Sequence, residues 1–203
     1  MRRDPVLGAV IRQVGACGLA DSQHTDPFVA LMRAIIGQQL STKAAATIAG
    51  RFTVLFGRSR PTAAKLALIP DDQLRAVGLS RMKLSFLRDL GERVQDGRLA
   101  LGALDAMADD EVIETLVAVK GIGRWTAEMF LMFRLHRPDV FPVGDLGIVR
   151  AIQRVYGLRK EPTVARLEQL AEPWRPYRSV ACWYLWASLD NAPAALPITK
   201  GTR

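Results

Sequence analysis

Two places in this chain pair residue type with spacing in a way that points to chemistry: the turn Gly121-Ile122-Gly123 and the solitary Asp145. The turn follows the run DEVIETLVAVK and precedes RWTAEMFLMF, so one helix must end at Gly121 and another must begin at Gly123. Glycine at both positions allows a sharp change of direction and leaves backbone N–H groups uncovered. Those donors add to the positive end of the helix that starts at Arg124, and together they make an anion site that suits a phosphate. Lys120 and Arg124 flank it. As a plain helix-helix corner, the same turn needs no ligand. Asp145 stands where the N-cap of LGIVRAIQRVYG belongs, and capping alone would account for it. Its company is apolar, with Phe141, Pro142 and Val143 just before it and Trp125 and Trp186 further along the chain. A carboxylate in such surroundings can stabilise a cationic transition state.

The elements that must position these residues read as helices, with few alternating, strand-like runs. Asp4-Pro5 and Asp26-Pro27 each open a helix with a capping acid and a proline at the first position. Gly15 and Gly18 close the first helix. The second turns Phe28, Leu31, Ile35 and Ile36 inward and stops around Gly37-Gln38-Gln39-Leu40. Ser41 caps an alanine-rich third helix that ends at Gly57. Segments 61–68 and 70–77 read as two short helices, and Gly78 stops the second. Ser80 then caps a longer helix that turns Met82, Phe86, Leu87, Leu90 and Val94 inward. Its Arg81, Lys83, Arg88 and Arg93 point elsewhere, forming a basic face that is either solvated or near phosphates. Residues 101–107 form a short helix, and Asp109 caps the next. Segments 163–170 and 176–189 are the last helices, and the tail from Asn191, with two prolines, is expected to pack loosely. The junction Gln38-Gln39-Leu40 reads in two ways. It is a polar corner with one buried leucine, or a short wedge for a duplex from which a nucleotide has left the stack.

The bulk properties narrow the class. The chain has 203 residues, 49% of them hydrophobic, enough for one sizeable core or two small lobes. A net charge of +8 and a pI near 10.1 favour a polyanionic partner. Cys17 and Cys182 are too few for a disulfide framework, and with only His24 and His136 beside them they do not make a zinc site. No apolar run approaches the ~20 residues of a membrane span. The start MRRDPVLG has no apolar signal core. A reducing cytoplasmic setting is expected.

Taken together, these segments resemble the helix-hairpin-helix (HhH-GPD) DNA glycosylase superfamily, whose signature is a hairpin, a Gly/Pro-rich loop and a catalytic aspartate. VKGIGRWTAEMF followed by DVFPVGDLGIVRAI is most similar to the DNA-3-methyladenine glycosylase II (AlkA-type) branch, with twenty residues from Trp125 to Asp145. RAIIGQQLSTKAA, GLSRMKLSFLRDL, and EPWRPYRS running into WYLW extend the resemblance over about residues 25–190.

The helical period predicts an all-α fold, and the resemblance implies two helical lobes in a single domain, 1–203, with the hairpin at about 110–135. The better-known AlkA-type enzymes also carry an N-terminal β-rich lobe, which is expected to be absent here because the first helical motif begins almost at once. The resemblance further implies that Asp145 is the catalytic carboxylate and that Trp125, Trp186 and Met129 line a base pocket. Lys120, Gly121, Gly123, Arg124 and Thr126 would contact DNA, and Gln39 or Leu40 would fill the gap in the duplex. The main-chain carbonyls of Val117, Val119 and Ile122 would hold a structural monovalent cation, K+ or Na+, and no cofactor would be required. The implied activity is removal of alkylated bases, 3-methyladenine and related purines, from double-stranded DNA by N-glycosidic hydrolysis, the first step of base excision repair. Such an enzyme is expected to be a monomer associated with the nucleoid, without membrane or protein partner. Bifunctional members carry a lysine where this chain has Trp125, so strand cleavage is not expected. The iron–sulfur relatives end in four spaced cysteines that this chain lacks, and Gly144 replaces an acidic residue sometimes found beside the catalytic one. Two alternatives remain: a glycosylase of the same superfamily for another lesion, and a non-catalytic DNA-binding module. The latter would keep Gly121 and Gly123 without needing Asp145.

Overall fold

Capping chemistry sets most helix starts in a computed structural model of the protein, which describes residues 4–19 and 26–190. Helix α1 (Pro5–Val14) begins under Asp4, whose carboxylate accepts the N–H groups of Val6 and Leu7 at 3.0 Å. Asp26 does the same for α2 (Pro27–Gly37). The hydroxyls of Ser41, Thr62 and Ser80 accept N–H groups at the starts of α3 (Thr42–Val54), α4 (Ala63–Leu68) and α6 (Arg81–Gln95). Between the last two lies α5 (Asp71–Ala76). A 3-10 turn at Leu101–Ala106 precedes α7 (Asp109–Val117) and α8 (Arg124–Phe133). Then follow α9 (Leu146–Val155), α10 (Val164–Ala171), a 3-10 turn at Glu172–Trp174, and α11 (Arg178–Asp190). All regular structure among the described residues is helical, as the all-α reading requires. The expected loose tail from Asn191 lies outside the described residues, as do residues 1–3. No helix among the described residues is long and apolar enough to cross a membrane.

The chain forms two compact units. One is the continuous segment His24–Leu135, which holds α2 to α8. Its interior is built from Leu31, Ile35, Leu66, Leu74, Leu87, Leu90, Val112, Leu116 and Leu131. The other combines Met1–Gln23 with His136–Arg203, and packs α1 and α9 with α11. Leu7, Ile148, Ile152, Leu167, Trp174 and Leu185 fill it. Each such side chain contributes about 1.5–3 kcal/mol relative to exposure, so each unit has its own apolar reason to hold together.

Two local expectations change. Asp109 is the first residue of α7 rather than its cap. Ala108 holds the cap position without a side-chain acceptor, and Glu111 reaches back from the third position to accept the Ala108 N–H at 2.9 Å. The second change concerns α6. Met82 is exposed and Leu84 takes the inward place. Lys83, expected on a basic outer face, is buried, and its ammonium donates to the carbonyls of Ile36 and Gln38 at 2.6 and 2.7 Å. The last carbonyls of α2 lack helical partners, so a lysine there satisfies them. Arg88 serves the end of α4 in the same way, donating to the carbonyls of Leu66 and Ile69. Arg93 pairs with Asp89 at 2.8 Å. Much of the basic face is therefore committed to holding the fold.

Candidate functional site

In the unit that carries the hairpin, Gly121 is required twice over. Its φ is +80°, and a Cβ there would fall 2.1 Å from the Phe86 ring. One residue earlier, the Lys120 N–H donates to Asp89 Oδ2 at 2.8 Å. Burial works against ionisation of Asp89, yet the Lys120 amide and the Arg93 guanidinium hold its carboxyl below the usual value. Gly123 is different. It has ordinary extended backbone, φ −94° and ψ 172°, and nothing lies within 4 Å of a Cβ built on it. The protein's own packing makes no demand for glycine there, whereas close approach by a ligand to the backbone would. No side chain caps α8, so its first N–H groups are presented at the positive helix end beside exposed Gly121, Gly123 and Arg124. Arg124 extends to Glu128 at 3.0 Å, and the Lys120 side chain is two-thirds exposed.

The other expected hairpin residues divide by burial. Trp125 is half exposed, and Met129, one turn later on the same face of α8, is partly so. Thr126 is buried at 7% exposure, so a DNA contact there would be made by its main-chain N–H in the first turn of α8 rather than by its side chain. Val117 is exposed while Val119 and Ile122 are buried, and the Val119 oxygen already accepts the Ile122 N–H at 3.1 Å. A cation held by these carbonyls would share that oxygen. At the α2–α3 junction, Gln38 Nε2 donates to the Gly121 oxygen at 2.7 Å. Gln39 lies at φ +58° and is exposed, and Leu40 is 38% exposed. That exposure removes the reading of the junction as a corner around a buried leucine.

In the other unit, Asp145 caps α9 and is 8% exposed. Its Oδ1 accepts the Ile148 N–H at 2.8 Å and the Trp186 indole N–H at 3.0 Å. Gly147 makes that second bond possible: a Cβ there would stand 3.0 Å from Asp145 Oδ1 and 3.1 Å from the indole. The loop that delivers Asp145 is tied at its start to α11. Arg178 grips Asp139 with bonds of 2.7 and 2.9 Å, and Ser179 accepts the Val140 N–H at 2.9 Å. Burial opposes ionisation of Asp139, but Arg178 and Arg175 keep its carboxyl below the ordinary range. Phe141 stacks edge-on against buried Trp174 at 5.8 Å, and the Asp145 N–H closes a turn onto the Pro142 oxygen at 3.0 Å. One helix thus supplies both the anchor of the loop and the indole on the carboxylate. The described residues thus include a glycine turn beside an uncapped helix N-terminus and a buried carboxylate with oriented donors.

Residues 32–176 match the HhH-GPD family, described as "HhH-GPD superfamily base excision DNA repair protein". The chain belongs to this superfamily. A DNA-3-methyladenine glycosidase structure from Bacillus halodurans superposes with a TM-score of 0.83 at 38% identity, covering 94% of this chain and 87% of that one. The Schizosaccharomyces pombe 3-methyladenine DNA glycosylase, solved in complex with abasic DNA, gives 0.77 at 31% identity and 93% coverage of each chain. A Bacillus subtilis relative, YfjP, is 34% identical over 166 residues, 79% of this chain, which spans 58% of that longer protein. The HhH-GPD match includes the hairpin, the Gly37–Leu40 junction and Asp145. Reading the sequence alone missed Gln38, Lys83 and Asp89 as partners of the hairpin and junction, and Gly147 as the residue that admits the indole. Gly147, a glycine in the first turn of a strongly patterned helix, is the one that carried a visible signal.

Proposed function

We propose that the protein is a monofunctional DNA glycosylase that removes alkylated bases, 3-methyladenine among them, from double-stranded DNA and so starts base excision repair. The observation that carries this reading is Asp145, nearly buried, with Oδ1 oriented by the Ile148 N–H and the Trp186 indole N–H. Neutral donors orient a carboxylate without cancelling its charge. The names of the solved relatives supply the substrate class.

The steps follow from ordinary chemistry. The α8 amides and the Gly121–Gly123 turn hold a backbone phosphate. A damaged nucleotide leaves the stack at a cost of a few kcal/mol, least where pairing is already weak. Alkylation makes a purine cationic and a good leaving group, and an aromatic face attracts it by ~0.5–2 kcal/mol. Trp125, Met129 and Trp186 keep the base-contact roles that the family resemblance implies. As the N-glycosidic bond breaks, the deoxyribose gains oxocarbenium character, which ionised Asp145 stabilises while water completes hydrolysis to an abasic site. Trp125 cannot form a Schiff base, so strand cleavage does not accompany base removal. No cofactor enters these steps, although K+ or Na+ at the carbonyls of Val117, Val119 and Ile122 would stiffen the turn. The enzyme acts as a monomer on the nucleoid in the cytoplasm.

Incubation with methylated duplex DNA, followed by separation of the released bases, tests the proposal. Wild-type protein should release 3-methyladenine, and Asp145→Asn should not, while both bind duplex. Release of another base class by wild type assigns a different lesion. Binding without release leaves a non-catalytic module.

A further inference from the structure

Helix α6 presents three residues at intervals of three to the hairpin and the α2–α3 junction. Lys83 donates to the carbonyls of Ile36 and Gln38. Phe86 packs on Gly121 so closely that no Cβ fits between them. Asp89 accepts the Lys120 N–H. Spacing of three places all of them on one helix face. Gln38 closes the connection, because its side chain donates to Gly121 while its own carbonyl receives Lys83. The residue after it, Gln39, holds a φ of +58°, a conformation that persists for a side-chain-bearing residue only where its surroundings over-determine it. Leu40 then stands exposed. Lys83 is no surface cation in reserve for DNA: it is 9% exposed, and burial pulls its ammonium below the ordinary value.

We propose that Gln38 and Lys83 are positioning residues that fix Gln39 and Leu40 at a set place relative to the phosphate-binding turn, so that gripping the backbone and testing the duplex for a gap are one rigid event. The inference rests on the reading of Gln39 or Leu40 as the gap-filling side chain. A wedge can report a missing base only if its reach from the gripped phosphate is constant. The bond from Gln38 to Gly121 supplies that constancy through two consecutive residues, one touching the turn and the next leading into the wedge.

The test compares binding to a duplex containing a tetrahydrofuran abasic site with binding to the same duplex intact. Gln38→Met keeps the side-chain length and removes the donor, and Gln38→Asn is too short to reach. Both should lower the preference for the abasic duplex roughly fivefold, the weight of one ordinary hydrogen bond. Tm should fall by no more than about 2–4 °C, and affinity for intact duplex and its salt dependence should stay as in wild type. Leu40→Ala or Gln39→Ala should lower the same preference, and adding Gln38→Met to whichever does so should cost little more, since the two act through one element. If Gln38→Met keeps full preference while a wedge variant loses it, the inference fails and the gap-filling reading stands. If both Gln38 variants weaken binding to the two duplexes equally, Gln38 merely supports the turn, and the inference fails. If neither Leu40→Ala nor Gln39→Ala alters the preference, the gap-filling reading falls and takes the inference with it.

Discussion

Two helix N-termini in the same unit are built alike. At α1, Asp4 accepts the Val6 and Leu7 N–H groups on Oδ1, and on Oδ2 it takes the Tyr156 hydroxyl and the Trp174 indole N–H. At α9, Asp145 accepts the Ile148 N–H and the Trp186 indole N–H, both on Oδ1. Each aspartate is 8% exposed. The difference is in what surrounds them. Asp4 uses both oxygens on its own fold, and its indole belongs to Trp174, which is 1% exposed. The indole on Asp145 belongs to a residue only partly buried. Capping and catalysis are therefore not competing explanations of an N-cap aspartate. A cap enclosed beside a fully buried indole is spent on the fold, and one beside a partly exposed indole can serve chemistry as well.

The largest effect that separates the two is on excision. Asp145→Asn should slow release of 3-methyladenine by a hundredfold to a thousandfold, measured under single-turnover conditions, with Tm close to wild type. If that variant instead unfolds, Asp145 is a structural cap like Asp4 and the contrast collapses. Asp4→Asn should behave oppositely. It sets an amide donor among four donors and should cost about 2–3 kcal/mol of stability in denaturant titration, while the folded fraction keeps its excision rate. The two indoles offer a finer version. Trp186→Phe removes one donor to Asp145, a hydrogen bond to a charged group that contributes about 1.5–3 kcal/mol, and excision should fall at least roughly tenfold, by more than the accompanying loss of stability accounts for. Equal loss of stability and excision would mean that the indole only packs. The smallest effect is on acid stability. Burial opposes ionisation of Asp4, but its bonds from Tyr156, Trp174, Leu7 and Val6 hold its carboxyl below the usual value. A lowered folded pKa contributes stability that is complete above the unfolded value, about 3.9, and is lost as pH falls through the folded one. Thermal unfolding of Asp4→Asn between pH 5 and pH 2 should show a shallower acid limb than wild type, as estimated from linkage. An unchanged limb would mean that Asp89 and Asp139, lowered by their own partners, carry it.

What was legible in the sequence was what depends on near neighbours. Asp4-Pro5, Asp26-Pro27, Ser41 and Ser80 mark helix starts because a cap and the amide it satisfies lie two or three residues apart. Gly121 was legible as a turn, but its deeper reason, the Phe86 ring, comes from 35 residues upstream. Lys83 was misread for the same reason: its polar head finds its partners 45 and 47 residues away, and nothing in the local pattern distinguishes a buried lysine from a solvated one. Thr126 is legible as part of the hairpin motif, whereas the burial of its side chain is decided by the face of α8 it occupies. Asp145 and Trp186 are each legible, yet the bond between them spans 41 residues, and Gly147 is legible only as an odd glycine in a helix's first turn, not as the residue that admits the indole.

The unit that holds Asp145 is discontinuous in the chain, while the hairpin unit is one uninterrupted segment. Trp174 reaches Asp4 across 170 residues, and Tyr184 reaches the Gly15 carbonyl across 169. Contacts that distant in sequence close late, after local ones have paid for themselves. During synthesis the segment carrying the hairpin has all its internal contacts before α9 and α11 exist, while α1 waits for both. Trp186 arrives with the last helix described. The growing chain therefore completes the glycine turn before Trp186 reaches Asp145, and that indole bond is among the last contacts to be assembled.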